Sequence, residues 1–125
     1  MIRLRALDVI RIHDDHIRPP GPKFIVCVEP DLGLFLRINS DGWRDGSVAI
    51  SFAAHSAFLR HNSYIECGEL LEPDSYIIGQ ALADGGIWGR IDAGVAPEIR
   101  DAIMRSGSLA RRDRIAICRA LGFTA

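Results

Sequence analysis

The sequence predicts a single α+β domain in which a small antiparallel β-barrel is followed by C-terminal helices. Three observations support this prediction: short apolar runs at close spacing before residue 67, turn residues between those runs, and helical periodicity after Pro97. Short strands that follow one another without intervening helices are typical of an antiparallel sheet or barrel. The chain has 125 residues and is 48% hydrophobic, which is enough for one core. We therefore assign residues 1–125 to one domain.

The first predicted strand precedes a proline-rich loop. Residues 7–12 are rich in branched side chains, as strands are, and lead into the polar run 13–16. Neighbouring His and Asp side chains on an extended chain point to opposite faces, so this run does not predict a metal site. Residues 17–22 contain three prolines, which remove backbone donors and fix φ. This segment is predicted to be a rigid loop.

The strongest strand signal lies at residues 23–29, which are almost continuously apolar. Such a run predicts a strand that is covered on both faces. Turn residues at 30–33 and a second apolar run at 34–40 predict an antiparallel hairpin. After a loop, residues 48–52 are predicted to form a third strand.

The second half of the chain is predicted to change from strands to helices. Residues 54–60 fit one or two helical turns, and residues 63–67 alternate as a strand does. Between residues 77 and 92 several glycines interrupt any pattern, which predicts loop and a short edge strand.

Two helices are predicted at the C-terminal end. Pro97 suits the first turn of a helix in which Ile99 and Ile103 share a face, and Gly107 suits its end. Ser108 is then a candidate N-cap for a helix over residues 109–121.

Charge and cysteine content restrict the possible classes of protein. The net charge is -1, with ten acidic residues against four arginines in residues 24–92 and a basic C-terminal end. This asymmetry fits a nucleic-acid or acidic-partner surface, or equally an amphipathic helix with a solvated arginine face. Three cysteines without a C-x-x-C pair argue against a disulfide framework. No stretch approaches the roughly 18 to 20 apolar residues of a membrane span, so we expect a soluble cytoplasmic protein.

Residues 55–67 hold an unusual concentration of polar side chains. His55 and His61 stand beside the hydroxyls of Ser63 and Tyr64 and the thiol of Cys67. Imidazoles transfer protons near neutral pH, and hydroxyls or thiols orient or attack a substrate, so the run is a candidate catalytic cluster. The alternative is a polar corner in which His55 caps a turn and the other side chains bond locally.

A second group of candidates lies at the start of the hairpin. Lys23, the only lysine, begins the buried strand, close in sequence to Arg18. Cationic side chains at such a position suit a phosphate group, although a solvated strand-end lysine is also possible. In an antiparallel hairpin, Asn39 and Ser40 at the end of the second strand lie near the start of the first. A patch of Lys23, Asn39 and Ser40 is therefore expected.

These features resemble the MazF/PemK family of small toxin endoribonucleases. The matching features are the basic residue that opens the apolar strand 23–28, the pair Asn39 and Ser40 after the next strand, the strand 63–67, the segment 89–91 and a terminal helix ending at residues 120–122. The resemblance covers about residues 7–122. It implies an SH3-like barrel of the MazF/PemK/CcdB type, cleavage of single-stranded RNA without a metal or cofactor, a homodimer, and a small antitoxin protein as partner.

The resemblance also assigns roles to particular residues. The family's basic residue falls on Lys23, or less closely on Arg18, and its hydroxyl residue on Ser40. The first hypothesis is thus an endoribonuclease in which Lys23 neutralises the scissile phosphate, Ser40 orients it, and His55 or His61 transfers the proton. Additional RNA contacts are expected from a second set of polar side chains, namely Arg18, Asn39, Ser63 and Tyr64.

The second hypothesis is a barrel without catalytic activity that binds a protein partner. In this interpretation the acidic body and an apolar edge around residues 87–88 form the contact surface.

Overall fold

The computed structural model describes residues 3–14 and 21–124. In these residues six antiparallel strands form a curled half-barrel. Together with three helices, the strands make up an α+β fold. The strands are β1 (Asp8–Asp14), β2 (Gly21–Glu29), β3 (Leu34–Asn39), β4 (Ser47–Ile50), β5 (Ser63–Glu66) and β6 (Gly89–Arg90). The helices are α1 (Ser75–Asp84), α2 (Ala96–Arg105) and α3 (Arg111–Ala120), with a short 3-10 turn at Ala93–Val95. Arg18 and most of the predicted proline loop lie outside the described residues.

Strand β2 lies inside the sheet, whose order is β4-β5-β3-β2-β1-β6. Its side chains alternate between two hydrophobic clusters. Val26 and Val28 join the larger cluster, which includes residues of α2 and α3, whereas Ile25 and Cys27 join the cluster beneath α1. All four side chains are fully buried. The prediction that this strand is covered on both faces is confirmed.

The predicted hairpin is also confirmed. Strands β2 and β3 pair antiparallel, with Ile25 opposite Arg37. Gly33 in the connecting turn has a φ of +67°, a left-handed conformation that favours glycine. The carboxylate of Glu29 accepts a hydrogen bond from the backbone N–H of Leu32. Because an antiparallel hairpin doubles back on itself, the start of β2 and the end of β3 lie at the same end of the sheet.

Helix α1 corrects the prediction of loop structure after residue 77. The carboxylate of Asp74 caps the helix by accepting the N–H of Ile77 at 2.9 Å. Ala81 is buried in the cluster that contains Ile10 and Phe35, so packing against the sheet stabilises a segment whose glycine weakens the helical signal. The predicted edge strand is present as β6, which pairs with β1.

Both C-terminal helices are present, and Ile99 and Ile103 are fully buried on one face of α2 as predicted. The predicted N-cap of the last helix is wrong, because α3 begins at Arg111 and Ser108 instead donates a hydrogen bond to the carbonyl of Gly68 at 2.8 Å. Residues 54–60 form turns rather than a helix. Across the described ranges, none of the helices has the length and apolarity to cross a membrane.

A buried carboxylate anchors β1 to β6. Asp8 is 1% exposed, accepts the backbone N–H of Arg5 at 2.8 Å, and pairs with Nε of Arg90 at 3.1 Å. Arg90 also donates to the carbonyl of Ala6 at 2.7 Å. A buried charge is stable only when it is paired and hydrogen-bonded, and Asp8 meets both conditions. The contact fixes the sheet edge next to Trp88.

Candidate functional site

A cavity of about 570 Å³ lies where β2 begins and β3 ends. Its walls come from these two strand ends, from Arg11 on β1, from the connection at residues 56–63 and from Trp88. Five segments that are distant in sequence therefore meet at one place. Such a concave site with convergent polar groups is the usual form of a ligand-binding site.

Five of the eight site residues predicted from the sequence line this cavity: Lys23, Asn39, Ser40, His61 and Ser63. The hairpin geometry brings the first three together, as expected. The carboxamide of Asn39 donates a hydrogen bond to the buried carboxylate of Glu66 at 3.1 Å, which fixes its orientation. The roles of these residues stay predictions.

The structure does not bring His55 into the cavity. Its side chain is 2% exposed, and its Nδ1 lies 2.8 Å from the carbonyl oxygen of Ser51. The N–H of Asp92 donates to its Nε2 at 3.0 Å. Because a carbonyl only accepts, Nδ1 must carry the proton, and both ring nitrogens are used by the backbone. This arrangement corresponds to the alternative interpretation of His55 as part of a polar corner.

Tyr64 is also placed outside the cavity. Tyr64 follows Ser63 on β5, and successive side chains of a strand point to opposite faces. Its ring is half-buried and packs over Gly42, where an added Cβ would lie 2.6 Å from the ring. Arg18 lies outside the described residues.

The cavity contains an aromatic wall that the sequence did not reveal. The rings of Phe24 and Phe58 lie 5.7 Å apart between centroids, and those of Phe24 and Trp88 lie 5.4 Å apart. The guanidinium of Arg11 stands over Trp88 at 4.5 Å from the ring centroid. For Arg11, the sequence does carry a signal: side chains of β1 alternate between two faces, so Arg11 lies on the same face as the buried Val9.

Arg11, Lys23 and Arg60 give the cavity positive charge, since no aspartate or glutamate among the described residues lines it; His61 lies beside them. Within residues 3–14 and 21–124, neither Arg11 nor Arg60 forms an ion pair with a carboxylate. Other arginines differ in this respect, because Arg44 pairs with Glu66. The site therefore offers positive charge to an anionic ligand.

His61 has the geometry of a proton acceptor. Its side chain is exposed, and its Nδ1 lies 3.0 Å from the carbonyl oxygen of Asn62. In the neutral ring Nδ1 then donates to that carbonyl, so Nε2 carries the lone pair. The buried Ser63 hydroxyl donates to the backbone carbonyl of His61 at 3.1 Å and holds the turn in place. An imidazole arranged in this way can remove a proton from a ligand.

The cysteines do not provide a nucleophile. Cys27, Cys67 and Cys118 are all buried free thiols. Burial raises the pKa of Cys27 and of Cys67 to about 12, with a smaller contribution from nearby carboxylates. A thiol is nucleophilic as its thiolate, so these groups are core residues. In the part of the chain that the structure describes, no cluster of three His, Cys, Asp or Glu side chains could hold a metal ion.

In comparisons with known proteins, no family model matches the chain and no curated protein matches it.

Proposed function

We propose that the protein is an endoribonuclease that binds single-stranded RNA in this cavity and cleaves it. One observation carries the proposal: Arg11, Lys23, Arg60 and His61 line a single cavity, and none of the carboxylates in the described part of the chain lines it. RNA binding requires cations that neutralise phosphates, and single-stranded nucleic acids favour sites with aromatic side chains. Cleavage requires a proton acceptor close to the phosphate, which His61 supplies.

The proposed reaction uses the RNA's own ribose hydroxyl as the nucleophile. Nε2 of His61 takes the proton of the 2′-hydroxyl, and the 2′-oxygen forms a bond to the adjacent phosphorus. The bond between phosphorus and the 5′-oxygen breaks, and the leaving oxygen takes a proton from the imidazolium or from water. The products are a 2′,3′-cyclic phosphate and a 5′-hydroxyl end. No metal-bound water is needed for this route.

The cationic side chains act on the charge of the phosphate. Lys23 and Arg60 neutralise the negative charge that builds up on its oxygens, an electrostatic contribution that is often the largest in such reactions. The hydroxyl of Ser40, which is exposed at the cavity, orients the phosphate. Asn39 and Ser63 support the two segments that carry these groups.

The proposal includes a fold of the SH3-like MazF/PemK/CcdB type. It is supported by the order of the strands, by Lys23 near the start of β2 and Ser40 after β3, and by two helices at the C-terminal end. A homodimer and a small antitoxin-like inhibitor are part of the same proposal. A co-encoded small protein that blocks cleavage would support it.

Cleavage of a labelled single-stranded RNA by the purified protein tests the proposal. We expect fragments that end in a cyclic phosphate, and no cleavage of DNA of the same sequence, which lacks the 2′-hydroxyl. His61→Ala should reduce the cleavage rate by roughly 100-fold or more, the usual contribution of a general base, while RNA affinity changes little. Arg60→Ala should weaken binding.

Arg112→Ala is the matched control, because Arg112 is 87% exposed on α3 and does not line the cavity. It removes the same charge and should leave cleavage unchanged. RNA that stays intact while a control ribonuclease cuts it would refute the proposal. Unchanged cleavage by His61→Ala would refute the role of His61, and unchanged cleavage by Lys23→Ala that of Lys23.

The second candidate is a domain that binds a protein partner without catalysis. Exposed apolar side chains favour it, with Trp43 at 73%, Tyr76 at 70% and Ile87 at 37% exposure. Trp88, predicted to belong to an apolar edge, is instead half-buried beside the cavity. A stable complex with a co-encoded protein, together with no cleavage of RNA, would support this candidate.

A further inference from the structure

One wall of the cavity is a guanidinium held over an indole. Arg11 Cζ lies 4.5 Å from the centroid of Trp88, which is the geometry of a cation–π contact. Arg11 is an exposed residue, and in the described part of the chain it forms no ion pair or side-chain hydrogen bond. One face of its guanidinium is therefore covered by protein, while its other face and its N–H donors are available to a ligand.

Trp88 is fixed in position by three separate contacts. Its ring meets Phe24 edge-on at 5.4 Å, and its backbone N–H donates to the carbonyl of Val9 at 2.9 Å. The edge of the indole lies against Gly85, where an added Cβ would be 2.6 Å from Nε1. Because the indole is held rigidly, Arg11 is positioned before any ligand arrives.

We infer that Arg11 and Trp88 form a platform that stacks an unpaired purine base of the RNA. This inference rests on the proposed function and names the part of the substrate that the cavity recognises. The base lies on the outer face of the guanidinium, so indole, guanidinium and base form three layers. Planar arginine groups are common stacking partners of unpaired bases. Purines offer a larger surface than pyrimidines and should bind more tightly.

The cations of the cavity differ in a way that favours this assignment. In the described residues, Arg44 and Arg100 also stand over aromatic rings, but neither lines the cavity. Arg60 lines the cavity without such a ring contact, so it suits a phosphate. Arg11 lines the cavity and also stands over an aromatic ring. This combination points to contact with a base of the RNA rather than with its phosphate backbone.

Binding of short 2′-O-methyl oligonucleotides, which cannot be cleaved by 2′-hydroxyl attack, tests the inference. Fluorescence anisotropy would measure Kd for oligo(A), oligo(U) and an abasic strand of equal length. We expect the protein to bind oligo(A) more tightly than oligo(U), and about tenfold more tightly than the abasic strand. Arg11→Lys keeps the charge but removes the planar group. It should abolish most of this tenfold preference and leave binding of the abasic strand unchanged.

Arg60→Lys is the matched control, and it should retain the preference for oligo(A). Arg11 is exposed, so its substitution should leave the far-UV circular dichroism and the Tm unchanged. If Arg11→Lys weakens all three strands equally, or if the wild-type protein does not distinguish oligo(A) from the abasic strand, the platform is refuted. Cleavage of RNA without any base preference would refute the platform alone, and base preference without cleavage would refute the endoribonuclease alone.

Discussion

At the scale of single residues, burial determines the chemistry of the thiols. Cys27 lies on the α1-facing side of β2 and Cys67 lies in the larger cluster, both fully buried. Transfer from water into the core disfavours the thiolate, and nearby carboxylates disfavour it further, so the pKa of each is raised from 9.0 to about 12. These thiols stay neutral in the folded protein at physiological pH.

The raised pKa values predict that the protein loses stability in alkaline solution. Between about pH 9 and pH 12 the unfolded chain has released these protons and the folded protein has not, so the free energy of unfolding falls as pH rises. The loss reaches at most about 1.4 kcal/mol per pH unit for each thiol. Urea unfolding at pH 8 to 11 would measure it. The slope should be shallower in Cys67→Ala.

Val48→Ala is the control for the loss of packing, since Val48 is buried in the same cluster as Cys67 but does not titrate. It should lower stability at every pH and keep the wild-type slope. A free energy of unfolding that does not change above pH 9 would contradict the prediction.

The two histidines of the polar run are alike in the sequence but have different surroundings in the structure. His55 and His61 are chemically identical, and the sequence predicts proton transfer for either of them. They differ because the backbone N–H of Asp92, 37 residues after His55, donates a hydrogen bond to Nε2 of the His55 ring. No local pattern reports a partner so far along the chain. By contrast, Lys23, Asn39 and Ser40 were placed together correctly because a hairpin is a local structure.

At the scale of elements, the same distinction explains which helices were predicted. Helix α2 carries its signal in its own sequence, with Pro97 at its start and Ile99 and Ile103 on one face. Helix α1 contains Gly79 and depends on packing against Ile10 and the rest of its cluster. Intrinsic propensity is a weak guide when tertiary packing supplies most of the stability.

Two glycines near α1 predict opposite effects of the same substitution. Gly79 is exposed inside the helix, and beyond the adjacent helix backbone nothing lies within 4 Å of an added Cβ, so Gly79→Ala should stabilise the protein by about 0.5 to 1 kcal/mol. At Gly85 an added Cβ would lie 2.6 Å from Nε1 of Trp88. Gly85→Ala should therefore destabilise the protein by about 1 to 3 kcal/mol.

Chemical denaturation of both variants beside the wild-type protein provides the measurement, and each variant is the control for the other. If residues 75–84 formed a loop, Gly79→Ala would bring no helix-propensity gain. If Gly85→Ala were as stable as the wild type, the packing of Trp88 that underlies the proposed base platform would be wrong.

At the scale of the whole molecule, the arrangement of charge matters more than its sum. The net charge is -1, and residues 24–92 are acidic on average, yet no acidic side chain lines the cavity within them. The structure places several carboxylates with other partners, as Asp8 pairs with Arg90 and Glu66 with Arg44. The average charge of residues 24–92 does not show this separation. Arg11 lies outside that segment in the sequence, and the fold brings it to the same cavity as Arg60.

This separation of charge predicts how RNA binding depends on salt. If Lys23 and Arg60 contact phosphates, the logarithm of the binding constant should fall with the logarithm of salt concentration with a slope of about -1.4. Affinity should then weaken roughly 25-fold for a tenfold rise in salt. Removing one contact with Arg60→Ala should make the slope shallower by about 0.7. Arg112→Ala, which leaves the cavity intact, should lower neither affinity nor slope. Equal slopes for the wild type and Arg60→Ala would show that RNA binds on another surface.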